Sequence, residues 1–217
     1  MTVRLAIFDC DGTLVDGQSS VCEAMEAAFA GAGLAVPPRG AVRRIVGLSL
    51  PNAIRRLAPK AEDEQVAQAV EAYKQAFFAA RQEGRVHEPL YHGVRDLLGS
   101  LHGGGWLLGV ATGKSDRGLR TVLATHGLSE LFCTLQTADR HPSKPHPAMI
   151  EAALAEALAR PEQAVMIGDT QYDIAMAKSA GVRAIGVAWG YHGPDELREA
   201  GADAVAENAA HLGELLG

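Results

Sequence analysis

The sequence is short of cysteine, of clustered basic charge and of long apolar runs, and each shortage closes a class of function. Its three cysteines, Cys10, Cys22 and Cys133, are an odd number without CxxC spacing. That pattern argues against a disulfide framework or a zinc site and fits a reducing, cytoplasmic compartment. Each cysteine reads as a small buried apolar residue rather than a reactive thiol. No run of about 18 apolar residues occurs, so no transmembrane helix is expected. The opening stretch MTVRLAIFDCDGT meets acidic residues too early for a signal peptide. With 20 Lys and Arg against 26 Asp and Glu, the formal net charge is −6. A balance of that sign, without a dense basic patch, disfavours nucleic acid or an anionic membrane as partner.

What is present suits an ordinary globular protein. The 217 residues are 47% apolar, enough to bury a core for one or two domains. Short apolar runs at Arg4–Phe8, Trp106–Ala111, Phe132–Leu135, Val165–Ile167 and Ala184–Val187 read as buried strands. Helical patterns lie between them, at Val94–Leu101, Arg117–His126, Ala148–Leu158 and Ile174–Ala180. This alternation predicts an α/β fold, a parallel sheet covered by helices on both faces. Ligands in such sheets bind beyond the carboxyl ends of the strands. Between about Val15 and Pro89 the alternation stops and only helical patterns appear. One is expected to start at a capping box, Ser20-x-x-Glu23, with others over Arg39–Val46, Leu50–Leu57 and Glu62–Arg81. The expected organisation is a core of residues 1–14 and 90–217, with a small all-helical domain inserted at 15–89.

The chemistry-bearing residues fall at strand ends. In Asp9-Cys10-Asp11-Gly12-Thr13, two carboxylates two residues apart point to the same side of an extended chain. Their repulsion is acceptable mainly where a cation or a shared proton offsets it. The bland alternative is a turn built from Asp and Gly. Gly168-Asp169-x-x-x-Asp173 follows the fourth strand, four residues placing both acids on one side of a helix start. Helix capping alone could also account for them. Thr112-Gly113-Lys114-Ser115 after the second strand offers a hydroxyl and free amides to an anion. Lys144 is braced among Pro142, Pro145 and Pro147, more than a free surface lysine requires. Each motif is modest alone. All four in this order, each at a strand end or loop, are specific.

Together these residues resemble the four motifs of the haloacid dehalogenase superfamily, and the resemblance extends over the whole chain. The resemblance implies a Rossmann-like core with a helical cap at 15–89 and a magnesium-dependent phosphatase. Asp9 would be the nucleophile, forming an aspartyl-phosphate, and Asp11 the general acid and base. Thr112, Gly113 and Lys144 would bind the phosphoryl oxygens. Mg²⁺ would be held by Asp9, Asp11 (through its carbonyl), Asp169 and Asp173. Those four carboxylates less Lys144 carry half of the net charge. Asp11 disfavours the dehalogenase and phosphonate-hydrolase branches. The best match is to phosphoglycolate phosphatase-like proteins, through Asp9–Asp16, Arg43–Leu48 and the tail Trp189–Asp203. A β-phosphoglucomutase-like mutase, a pyrophosphatase and a phospho-acceptor signalling domain remain as alternatives. The implied partner is a small phosphorylated metabolite, in a cytoplasmic monomer or homodimer. Arg43 and Arg44 in the cap are the residues expected to select substrate, since a guanidinium suits a carboxylate or second phosphate. His146 and His192 are expected in loops and not as ligands.

Overall fold

A computed structural model describes residues 3–217. Six parallel strands form one sheet: β1 Leu5–Phe8, β2 Leu107–Thr112, β3 Phe132–Thr137, β4 Ala164–Gly168, β5 Arg183–Val187 and β6 Ala204–Ala206. Their order is β3-β2-β1-β4-β5-β6. The chain thus grows outward from β1 in one direction and from β4 in the other. The crevice between those two strands is where a doubly wound sheet binds its ligand.

Side-chain alternation sorts each strand between two apolar layers. In β1, Ala6 and Phe8 join one cluster while Leu5 and Ile7 join the other. In β4, Val165 and Ile167 face the first layer and Ala164 and Met166 the second. Helices α5 (Val94–Gly103), α6 (Asp116–Thr125) and α10 (Ala209–Leu216) cover the first layer. Helices α7 (Ala148–Glu156), α8 (Gln171–Ser179) and α9 (Pro194–Glu199) cover the second. A sheet buried on both faces explains why its strands read as unbroken apolar runs.

The segment between β1 and α5 holds four helices with their own apolar cluster. These are α1 (Gln18–Gly31), α2 (Arg39–Arg43), α3 (Leu50–Leu57) and α4 (Asp63–Gln82). On α1, Val21, Met25, Ala28 and Phe29 recur at helical spacing and, with Ala32 just beyond its end, pack with Ile54, Val66 and Ala69. The two chain crossings into this segment run side by side. Asp16 N–H donates to the Pro89 carbonyl at 2.8 Å and Tyr91 N–H to the Leu14 carbonyl at 3.0 Å.

Several expectations need correction. Helix α1 begins at Gln18, with Gly17 as its N-cap, so Ser20 and Glu23 form no capping box. Ser20 instead exchanges hydrogen bonds with the His87 backbone, tying the helix to the returning chain. The box lies at α4, where the Glu62 N–H donates to Gln65 Oε1 at 3.1 Å. Helix α2 stops at Arg43 and the chain turns through to Ser49. The sixth strand and helices α9 and α10 were not anticipated from the pattern of the tail. Cys10 and Cys22 are buried, but Cys133 is exposed. No helix among the described residues is long and apolar enough to cross a membrane.

Candidate active site

The motif residues converge at the carboxyl end of the sheet. Asp9 extends β1, its N–H donating to the Ile167 carbonyl of β4 at 2.9 Å. Asp169 and Thr170 follow β4, and Asp173 lies in the first turn of α8. Asp9, Asp169 and Asp173 each offer a carboxylate oxygen within 4.8 Å of one another. All three are buried, with Lys144 buried beside them. Lys144 Nζ sits 2.9 Å from Asp9 Oδ1 and 2.5 Å from Asp173 Oδ1. It emerges from the loop before α7, where the Lys144–Pro145 peptide bond is cis.

Asp169 and Asp173 are anchored by hydroxyl and amide donors, whereas Asp9 meets only the Lys144 ammonium. Thr13 Oγ1 donates to Asp169 Oδ1 at 2.8 Å, and the Tyr191 N–H to Asp169 Oδ2 at 2.9 Å. Thr170 donates its N–H and hydroxyl to Asp173 Oδ2, at 3.1 and 2.7 Å. Both oxygens of Asp9 are buried; Oδ1 meets only the Lys144 ammonium and Oδ2 has no hydrogen-bond partner. Native folds leave few buried carboxylate oxygens in that condition. Burial, reinforced by Asp173 and Asp11 and opposed by Lys144, pushes the Asp9 carboxyl up to about 7. Burial and the neighbouring Asp9 and Asp173 push the Asp169 carboxyl well above its ordinary range. Burial works against the Lys144 ammonium, but Asp173 and Asp9 outweigh it and hold its affinity for a proton above normal. One lysine among three buried acids leaves negative charge uncompensated. An oxygen-donor set of this kind suits a hard divalent cation such as Mg²⁺, so the residues fit the metal.

Asp11 lies outside the triad. Both its oxygens accept from Lys114 Nζ, at 2.8 and 2.9 Å, and that ammonium also reaches Glu88 Oε1 at 2.8 Å. Glu88 is held in turn by Arg81 of α4 at 2.7 Å. Asp11 and Glu88 overcome the burial of Lys114 and keep it firmly protonated. Reading motifs in sequence missed Lys114 and Glu88. The Thr112-Gly113-Lys114 triplet contains the lysine, but Glu88 carries no local signal.

Thr112 ends β2, buried, with its Oγ1 accepting the Lys114 N–H at 3.2 Å. Gly113 has no space for a side chain. A Cβ there would stand 2.5 Å from the Gly47 carbonyl oxygen and 2.6 Å from that of Leu48. The Thr112–Lys114 turn therefore touches the backbone of the helical segment directly. Gly12, at φ +89°, places its Cα against Asp169 in a conformation that L side chains avoid. The Trp189–His192 stretch of the tail also reaches the site. Besides the Tyr191 amide on Asp169, Trp189 Nε1 donates to the Thr13 carbonyl at 3.1 Å.

A cavity of about 640 Å³ runs from Asp9, Asp11, Thr112 and Gly113 outward between core and helical segment. Arg43 and Arg44 do not line it. Arg44 pairs with Glu196 of the core at 2.5 Å, and its carbonyl accepts the Tyr172 hydroxyl at 3.3 Å. His192 is buried; its Nε2 lies 3.3 Å from the same carbonyl and its Nδ1 accepts the Gln171 N–H. His146 accepts the Ala148 N–H through Nδ1, a local turn bond.

The framework is a doubly wound sheet with three buried carboxylates and a buried lysine gathered at its switch point. The chain belongs to the haloacid dehalogenase-like hydrolases: that family matches residues 6–187. Over 199 residues it is 39% identical to a probable phosphatase, IndB, of Dickeya dadantii, covering 90% of this chain and 86% of the relative. It is 29% identical to a phosphoglycolate phosphatase of Vibrio vulnificus, covering 97% of this chain and 94% of the relative. The crystal structure of a predicted phosphatase from Clostridium acetobutylicum superposes with a TM-score of 0.88 at 24% identity, over 100% and 99% of the two chains, and bears on the fold alone.

Proposed function

We propose that this hydrolase is a Mg²⁺-dependent phosphatase that cleaves a small phosphomonoester through an aspartyl-phosphate on Asp9. The observation that carries the reading is the Asp9 carboxylate itself. It is buried at the switch point, met only by the Lys144 ammonium on Oδ1 and by no donor on Oδ2, and it lines the cavity. A carboxylate so exposed to its ligand and so little solvated is a competent nucleophile. The phosphatase names of curated relatives support the same reaction class.

In this reading an oxygen of Asp9 attacks phosphorus while the ester oxygen leaves on the opposite side. Thr112 Oγ1, the Gly113 N–H and Lys144 Nζ receive the three equatorial oxygens, where charge accumulates during transfer. Asp169 and Asp173 with Asp9, and the carbonyl of Asp11, would hold the metal. When bound, Mg²⁺ would supply the positive charge that one lysine cannot. Asp11 would give a proton to the leaving oxygen and then take one from the attacking water. Both oxygens of Asp11 accept from Lys114, an arrangement suited to the second of those steps. To act as the acid Asp11 has to part from that ammonium and take up a proton from solvent before the ester oxygen leaves, and the negative phosphoryl group is able to draw Lys114 away.

Phosphate release from a panel of small phosphomonoesters, with Mg²⁺ and with EDTA, tests the reading beside Asp9→Asn. Release is expected to need the metal and to fall by at least about a thousandfold in the variant. Turnover surviving in Asp9→Asn would sink the aspartyl-phosphate route. Turnover indifferent to EDTA would sink the metal.

A further inference from the structure

The reacting groups occupy one end of the cavity, and the rest of its wall is chemically different. A volume of about 640 Å³ lies within the roughly 300–1,000 Å³ of pockets that enclose drug-sized ligands. A two-carbon leaving group such as glycolate would leave most of it to water. At about 30 Å³ each, a dozen or more waters would stand against Val21, Met25, Ile45, Val46, Leu50 and Val70. Such walls bind water poorly and apolar groups well.

The chain has only five Phe, four Tyr and two Trp, yet Tyr73, Phe77 and Phe78 all line this cavity from α4. Tyr73 and Phe77 stack with centroids 5.8 Å apart and an interplanar angle of 24°. Phe78 is 44% exposed, and among the exposed large apolar residues it alone lines the cavity. The Arg117 guanidinium from α6 lies 4.6 Å from the Phe78 ring centroid and has no carboxylate partner among the described residues. The other lining cations are committed: Lys114 to Asp11 and Glu88, Arg81 to Glu88, Lys74 to Glu71. The distal wall thus offers aromatic surface, with Arg81 and Lys114 over Phe77 and Arg117 over Phe78, and Arg117 is its one cation without a carboxylate partner among the described residues.

We propose that the substrate is a phosphomonoester whose leaving group carries a planar, apolar ring system, one or two rings in size, seated on Phe77 and Phe78. This rests on the phosphatase reading and narrows it. The phosphoryl group is fixed at Asp9, and the ring lies along α4 with Arg117 at its outer edge. Specificity then comes from burying ring surface, not from pairing a second anion.

The test compares ethyl phosphate, phosphoglycolate and 2-(1-naphthyl)ethyl phosphate with Mg²⁺ on the full chain. The ethyl and naphthylethyl esters both expel a primary alkoxide, so their intrinsic reactivity is matched. The naphthylethyl ester is expected to show kcat/KM at least about tenfold above ethyl phosphate, mostly through KM. Phe78→Ala, at an exposed position where folding is not at stake, is expected to cut that ratio about tenfold, and Phe78→Tyr to restore it. Phosphoglycolate or ethyl phosphate matching the naphthylethyl ester would overturn the inference and leave the phosphatase standing. An unchanged ratio in Phe78→Ala would also overturn it. No phosphate from any ester, by protein with a cooperative thermal melt, would overturn the phosphatase reading and this inference together.

Discussion

Lys114 shows how a single side chain can hold an active site together through charges that lie far apart in sequence. It bridges Asp11 and Glu88 with 9% of its side chain exposed, against 13% and 8% for its partners. Removing one member of so enclosed a group leaves the others desolvated and unpaired, which costs about 3–5 kcal/mol. Lys114→Met is therefore expected to lower unfolding free energy by about 3 kcal/mol, read from urea denaturation at pH 7. Adding Glu88→Gln should recover part of the loss, since one stranded charge is then gone. A loss under about 0.5 kcal/mol would show the three groups to be solvated. The carboxylates of the site were legible in sequence because each is tied to a local event: a strand end, a helix start, a fixed spacing of two or four. Glu88 was not, because its role depends on the returning chain passing beside Gly17 and Asp11. Arg43 and Arg44 illustrate the reverse: charge on a helix suggested a ligand contact, but α2 ends just there and turns Arg44 toward Glu196.

At the scale of elements, the strands announced themselves because a sheet covered on both faces demands apolar residues at every position. Strand β6 escaped notice because Ala204–Ala206 is three small residues in a Gly- and Ala-rich tail, with no periodicity to read. What secures it is polar. Asp203 Oδ2 accepts the Ala184 N–H of β5 at 2.8 Å, and Oδ1 accepts Lys178 Nζ of α8 at 2.6 Å. The Ala184 amide, with help from Lys178, holds the Asp203 carboxyl below its ordinary 3.8. A carboxyl depressed in the folded state stabilises the fold above its unfolded pKa and ceases to do so as pH falls through the folded value. Asp203→Ala is thus expected to cost about 1 kcal/mol at pH 7, modest because the side chain is partly exposed. The gap between the two proteins should close as pH is lowered below 3.8. A gap that stays constant with pH would assign the effect to packing instead of to the carboxylate. The N-cap of α1 lies three residues earlier than expected, at Gly17, for a related reason: Ser20 had the right chemistry for a cap, and a long-range bond to His87 claimed it.

On the scale of the whole molecule, the helical segment meets the core through two adjacent crossings and a ring of polar contacts around the cavity. Asp16 and Pro89, and Leu14 and Tyr91, pair the crossings. Across the cavity mouth the Ser49 N–H donates to Ser143 Oγ at 2.8 Å, and Arg44 reaches Glu196. Few apolar side chains bridge this seam, because each body has its own cluster. Paired crossings with a weak seam are the arrangement in which one body can swing on the other to admit substrate and expel water. A ligand touching both sides should then favour the closed form, by about 2.7 kcal/mol at a hundred times its dissociation constant. Arg44 lies on the seam, and exposed Arg85 lies in the returning chain between α4 and Glu88. Trypsin cleavage after both is expected to slow when Mg²⁺ and orthovanadate, a mimic of the transferring phosphoryl group, are added together. If cleavage passes through the open form, the ceiling on that slowing is roughly a hundredfold at the same saturation. Cleavage at Lys178, in the last turn of α8, reports unfolding of the core and serves as the internal reference; it should slow less than cleavage at Arg44 and Arg85. Equal slowing at all three positions would mean that the ligand only stabilises the fold as a whole. No slowing at Arg44 and Arg85, with vanadate inhibiting turnover, would mean that the two bodies are already fixed and that substrate enters without a swing.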